Sequence, residues 1–353
     1  MKTHRPGRGS ITNPANRYHS DHNQAIDDGW DLDDEPAPAL KTTVTTDNSK
    51  TIINRVRSPD LPFDRTINPY RGCEHGCIYC YARPSHAYLD LSPGLDFESR
   101  LIAKPHAADL LRKELNKPRY QCQPIAIGTN TDPYQPIDKE WQITRQLLEV
   151  LRQYKHPVSI VTKASLIERD LDILTDMASQ NLALVFISIS SLDRSLTRTM
   201  EPRAAAPQRR LKTIQTLTEA GIPVGVLVAP IIPFLNDAEM ETVLTRCQQA
   251  GAISADYVML RLPQEVEILF QEWLQIHYPQ KANRILQRIR DLRSGKLNDS
   301  TFGQRMRGQG QYADLIAQRF RLACKQLGLS KSGHQLDTSQ FKPPHIPEQM
   351  ELF

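Results

Sequence analysis

Residues 71–81 read Arg71-Gly72-Cys73-Glu74-His75-Gly76-Cys77-Ile78-Tyr79-Cys80-Tyr81, with three cysteines in C-x3-C-x2-C spacing and glycines at 72 and 76. Glycine reaches backbone conformations closed to other residues, so this loop can turn three sulfurs toward one point from a short arc. Cubane iron–sulfur clusters are held by cysteine thiolates at such range, and three local ligands leave one iron open, as catalytic metal sites do. Cys73, Cys77 and Cys80 are therefore the expected metal ligands. Cys122, Cys247 and Cys324 stand alone and read as core or surface thiols. The alternative is a zinc knuckle with His75 as fourth ligand, in a binding module without catalysis. Such knuckles pair cysteines in two halves, whereas one compact triplet stands here.

Outward from the triplet, short apolar runs alternate with helical patterns. Strands are predicted at Thr66–Tyr70, Ile125–Gly128, Val158–Thr162, Leu184–Ile189, Pro223–Ala229 and Asp256–Leu260. Helices are predicted at Ala107–Asn116, Lys139–Tyr154, Glu168–Gln180, Pro207–Gly221 and Ala238–Gly251, the last two ending on glycines suited to a helix C-terminus. Wholly apolar strands separated by helices imply a parallel sheet covered by helices, either open or an α/β barrel, complete or partial. Pattern alone leaves that choice open.

The flanks differ in texture. Residues 1–60 are polar, with an acidic cluster from Asp27 to Glu35, and read as a flexible or loosely docked arm. Residues 61–262 carry the α/β pattern. Residues 263–329 form a helical extension, with helices at Gln264–His277, Lys281–Arg293 and Tyr312–Leu327. Residues 330–353, containing Pro343, Pro344 and Pro347, read as an extended tail. The chain's net charge is +4, but 281–331 holds twelve Lys or Arg against three Asp, a local +9. That stretch is either a phosphate-binding surface or a solvated helix face. No apolar run approaches the roughly 18 residues of a membrane span, and the N-terminus lacks the apolar stretch of a secretory signal. Six cysteines in 353 residues are too few for a disulfide framework, so a reducing, cytoplasmic setting without membrane contact is expected.

The motif C-x3-C-x-aromatic-C after the first strand, with Tyr79 as the aromatic, resembles the hallmark of the radical S-adenosylmethionine (radical SAM) superfamily. The resemblance covers about Leu61 to Leu262. It implies a partial (β/α)6 barrel, a [4Fe–4S] cluster, S-adenosyl-L-methionine chelated at the open iron, and its cleavage to a 5′-deoxyadenosyl radical. It also implies an electron donor such as flavodoxin or ferredoxin. Cys80-Tyr81, Gly128-Thr129-Asn130-Thr131-Asp132-Pro133-Tyr134, Thr162-Lys163, Ser188-Ile189-Ser190 and Glu201-Pro202-Arg203 further resemble the spore photoproduct lyase-like branch. By that resemblance Tyr79 packs beside the adenine, Thr129 and Asn130 sit near the methionyl amino group, and Lys163 with Ser188 or Ser190 reaches the carboxylate or ribose. Arg203 joins the same cofactor-binding set. In the lyase a cysteine returns a hydrogen atom to the product radical, and alignment on the Asp-containing turn puts Thr129 at that position. A hydroxyl is a far poorer hydrogen-atom donor than a thiol. Tyr81 is then the candidate donor, and repair of thymine dimers is not expected.

Two radical enzymes fit these residues: one acting on nucleic acid, with DNA repair as one form, and one acting on a small molecule or protein. Gln349-Met350-Glu351-Leu352-Phe353 resembles the pentapeptide by which bacterial polymerases and repair proteins bind the sliding clamp. In that reading an extended tail presents Gln349 for a hydrogen bond and three hydrophobes to an apolar groove.

Overall fold

The computed structural model of the protein describes residues 7–18, 40–330 and 334–344. In chain order the elements are β1 (Thr43–Thr46), β2 (Asn54–Arg55), β3 (Arg65–Ile67), β4 (Tyr70–Arg71), α1 (Leu95–Ser99), β5 (Arg100–Ala103), α2 (Ala107–Leu115), β6 (Ile125–Ile127), α3 (Asp138–Trp141), α4 (Ile143–Gln153), β7 (Val158–Thr162), α5 (Leu171–Ser179), β8 (Ala183–Ser188), α6 (Arg194–Met200), α7 (Pro207–Glu219), β9 (Val224–Ile231), α8 (Met240–Gln249) and β10 (Ser254–Met259). α9 (Val266–His277), α10 (Pro279–Leu292) and α11 (Gln311–Leu327) follow. β3, β6, β7, β8, β9 and β10 pair parallel in sequential order, and β2 adds an antiparallel edge on β3. Because β2 and β10 do not meet, this is a partial (β/α)6 barrel, which resolves the choice left by the sequence pattern. Ser330 bonds along the far side of β10, its carbonyl accepting from Ala255 N at 3.1 Å, so that edge is not left bare.

The strands bury because both their faces are covered. All three residues of β6 are inaccessible, as are Val158, Ile160, Ala183 and Val185. α4 presents Ile143, Leu147, Leu148 and Leu151 to the sheet, the spacing of one helix face. A second apolar cluster joins the extension to the cysteine loop: Phe270, Trp273 and Leu274 of α9 and Ile285 of α10 group with Ile78, Leu196 and Met200. The extension is thus part of the site's support.

The structure adds detail to two expectations and corrects a third. Of the arm expected over 1–60 to be flexible or loosely docked, residues 7–18 and 40–60 pack on the fold. Arg8, Ser10, Ile11 and Asn16 are buried, and β1 pairs with β5. β1, β5 and β4 form a second, three-stranded sheet. The tail is docked over 334–344, where Asp337 N donates to Asn181 O at 2.9 Å and Lys342 N to Tyr154 O at 3.0 Å. Finally, the helix expected over 139–154 breaks at Gln142, whose φ is +50°. The break lets the Asp138 carboxylate accept from Thr144 N at 3.1 Å and from Tyr70 Oη. The pentapeptide 349–353 lies outside the described residues.

Candidate active site

Parallel α/β folds assemble sites at the C-terminal ends of their strands, and the cysteine loop rises there from β4. Gly72 and Gly76 have φ of +75° and +66°. A Cβ on Gly76 would stand 2.7 Å from Glu98 Oε2, and one on Gly72 2.6 Å from Leu101, so neither position admits a side chain. The loop backbone is pinned by Cys73 N to Phe97 O at 2.9 Å, Ile78 N to Met200 O at 3.0 Å and Cys80 N to Cys77 O at 3.1 Å.

Beneath it lies an ion pair the sequence reading missed. Arg83 is fully buried and donates to the carbonyls of Gly76 at 3.1 Å and Cys77 at 2.9 Å, and to Glu98. The Glu98 carboxylate also accepts from Gly9 N at 3.0 Å and Ser10 N at 2.8 Å, while Arg8 reaches Glu98 O at 2.6 Å. The N-terminal strap, β5's approach and the cysteine loop are thereby one hydrogen-bonded unit.

On the other side of the loop, Asp132 of the β6 turn accepts from Thr162 Oγ1 and Lys163 N, both at 2.7 Å, and faces His75 Nδ1 at 3.3 Å. Burial acts to raise its proton affinity, but His75 and these hydrogen bonds outweigh it and hold the carboxyl at about 2. His75 is thus engaged by Asp132 through Nδ1.

Tyr79 Oη donates to Glu201, which also accepts from Ser190 Oγ at 2.9 Å and from Arg210. Burial favours protonating Glu201, but Arg210 and Lys163 together reverse this and lower its pKa. Lys163 Nζ lies 5.8 Å from the centre of the Tyr79 ring. Burial works against its charge, yet Cys77 and Glu201 outweigh burial and raise its pKa. Tyr79, Ser190, Glu201 and Arg210, all buried, and the half-buried Lys163 therefore make one cationic and hydrogen-bonding wall. Arg210 and Glu201 were not among the residues singled out as binding groups, although Glu201 fell within a noted stretch.

The remaining expected residues divide. Tyr81, half-exposed, donates its hydroxyl to the Thr129 carbonyl, so these two meet at the mouth. Asn130 N donates to Asn68 Oδ1 at 3.0 Å, an unforeseen residue that shapes the turn. Ser188 is turned away from Glu201, its hydroxyl donating to Ala229 O at 3.3 Å. Arg203 holds Glu74 of the cysteine loop at 3.1 Å, a clamp on the loop.

The model of the radical SAM superfamily matches residues 67–247. This chain belongs to that superfamily. An uncharacterized protein of Mycobacterium tuberculosis is 35% identical over 278 residues, 78% of this chain and 80% of the relative. One of Methanocaldococcus jannaschii is 29% identical over 54% of this chain and 68% of its own. Spore photoproduct lyase complexed with dinucleoside spore photoproduct has the same fold, with a TM-score of 0.59 at 16% identity, covering 81% of this chain and 80% of that one.

The chain is an enzyme of the radical SAM class, whose cofactors are a [4Fe–4S] cluster and S-adenosylmethionine, and the non-catalytic zinc module is set aside. The residues present fit the cluster by donor type and by their place on one glycine-shaped loop. Cys73, Cys77 and Cys80 are free thiols at the strand ends. Burial, then Asp132, then Cys77 raise the Cys73 pKa, and burial leads in pushing Cys77 up to about 12, so the thiols lie within electrostatic reach of one another. Among the described residues no helix is long and apolar enough to cross a membrane.

Proposed function

We propose that this radical SAM enzyme acts on nucleic acid. The observation that carries the reading is the path of the basic extension: Met306 O accepts from Met259 N at 2.9 Å, so the loop bearing Arg305 and Arg307 crosses the end of β10 beside the mouth. When bound, the cluster and S-adenosylmethionine supply the 5′-deoxyadenosyl radical. Cys73, Cys77 and Cys80 would ligate the cluster. Lys163 and Tyr79 would hold the cofactor's charged and aromatic parts, with Asn130 and Ser190 bonding its polar edge and Glu201 and Arg210 keeping that wall rigid. The barrel of 61–262 performs the chemistry, while 263–329 braces the cysteine loop and offers its exposed Lys281, Arg284, Lys296, Arg321 and Lys325 to phosphates. A flavodoxin- or ferredoxin-like donor supplies electrons in the cytoplasm, and the tail binds the sliding clamp through 349–353.

A second reading, a small-molecule or protein substrate, is favoured by one observation. Arg305, Arg307 and Arg319 are spent on Asp60, Asp256 and Glu241, and Arg293 on backbone carbonyls, which reduces the +9 surface. The test is anaerobic: binding of DNA and RNA across a salt series, with 5′-deoxyadenosine measured in their presence and absence. Salt-steep binding with stimulated turnover supports nucleic acid, and neither effect supports the second reading. Clamp binding is checked by comparing the full chain with one ending at Glu348; equal binding rejects it.

A further inference from the structure

Arg261 stands two residues beyond β10, at the rim shared by the cysteine loop and the β6 turn. Its guanidinium carbon lies 5.7 Å from the centre of the Tyr81 ring, the same ring whose hydroxyl bonds the Thr129 carbonyl. Among the described residues its hydrogen bonding is limited to Nη1 against the Met306 thioether at 3.6 Å, a weak acceptor. Among the described residues its Nε is buried without a partner and no carboxylate pairs with it.

The surroundings add like charge. Behind it, Arg293 donates to the carbonyls of Leu260 and Arg305, both at 2.8 Å, and forms no ion pair among the described residues. Arg305 is bonded to Asp60 and Ser58. Arg261 and Arg305 thus share one carboxylate, Asp60, which Arg305 already bonds, while the acid acting on Arg293 is Asp299. Burial, then Arg305, lower the Arg261 pKa, and burial, then Arg261, bring Arg293 to about 10. A partly buried, repelled cation with an unused donor is costly unless an anion completes it. Arginine's planar fork suits a phosphate in particular.

We propose that Arg261 anchors a phosphodiester of the substrate strand at the mouth, fixing the adjoining nucleotide against Tyr81. This rests on the nucleic-acid reading. One uncompensated guanidinium beside an exposed aromatic ring at the mouth suits a phosphodiester whose neighbouring base meets that ring.

The test uses the full-length, cluster-loaded protein and a fluorescent single-stranded oligothymidylate, titrated across a salt series. Arg261→Gln is expected to weaken binding by at least about tenfold and to flatten the slope of log affinity against log salt by about one. Arg261→Lys, which keeps the charge, is expected to restore the slope but only part of the affinity. Unchanged affinity and slope in Arg261→Gln, while the unaltered protein binds, overturn the anchor and leave the nucleic-acid reading standing. Weaker binding with an unchanged slope also overturns it, assigning the loss to packing. Failure of the unaltered protein to bind with salt dependence overturns both.

Discussion

Half-buried Lys163 lines the wall beside Glu201, where Cys77 and Glu201 raise its pKa against the opposing effect of burial. A cation so placed, beside the Tyr79 ring, is the natural partner for a carboxylate or ribose of S-adenosylmethionine. Lys163→Ala should therefore weaken cofactor binding by about 1.5–3 kcal/mol while the iron content stays unchanged. Equilibrium dialysis against labelled cofactor decides it, and unaltered affinity would remove Lys163 from the site. Thr129 makes the second prediction at this scale. By the resemblance to the lyase it stands where a hydrogen-donating cysteine is expected, and its hydroxyl is a far poorer donor, so reduced enzyme incubated with irradiated DNA should repair no thymine dimers. Efficient thymine release would show that a residue other than Thr129, with Tyr81 the first candidate, serves as hydrogen donor.

At the scale of elements, the loop's shape depends on a strap that lies far earlier in the chain, at Arg8, Gly9 and Ser10. Two strap amides and Arg83 converge on Glu98, and a Cβ on Gly9 would collide with the Gly76 carbonyl. Deleting residues 1–10 should leave the six parallel strands folded, since none of their core residues comes from the strap, but should lower the iron retained after anaerobic reconstitution. Full iron retention in the shortened chain would show that the loop holds its form alone. The sequence made the barrel legible because its strands and crossover helices are locally encoded: Val158–Thr162 and Ala107–Leu115 follow directly from apolar period and end signals. The strap was illegible for the opposite reason. Gly9 and Ser10 act through their amides, which carry no residue-type signature, and Arg8 finds its meaning only beside Glu98. Arg210 and Glu201 show the same limit, because a buried pair between a helix and a loop looks like two ordinary charges until folding joins them.

On the scale of the whole molecule, the tail runs across the barrel face opposite the mouth. Its described part bonds Asn181 and Tyr154, which precede β8 and β7, so it meets the N-terminal ends of the strands. There Phe341 packs on Tyr120 and His156, with ring centres 5.4 and 5.5 Å away. Proline content and polarity hid this docking in the sequence, since the anchoring contacts are one aromatic ring and backbone hydrogen bonds. His156 is inaccessible. Its Nδ1 contacts Pro157 O at 3.0 Å and its Nε2 the Tyr120 hydroxyl at 2.7 Å, which the neutral ring satisfies by donating from Nδ1 and accepting at Nε2. Burial lowers its pKa from 6.5 to about 4, with Arg65 adding and the Pro157 carbonyl opposing. The unfolded chain therefore takes up a proton near pH 6.5 that the folded chain refuses until about 4. Stability should fall as pH drops through that window, by up to about 3 kcal/mol from this group, and lose nothing more to it below. Urea unfolding at pH 7 and pH 4.5 measures the loss. His156→Gln cannot titrate, so although less stable at neutral pH it should lose less on acidification. Phe341→Ala, which opens the ring to water, should shrink the same loss. Equal losses in all three proteins would move the acid sensitivity elsewhere in the fold.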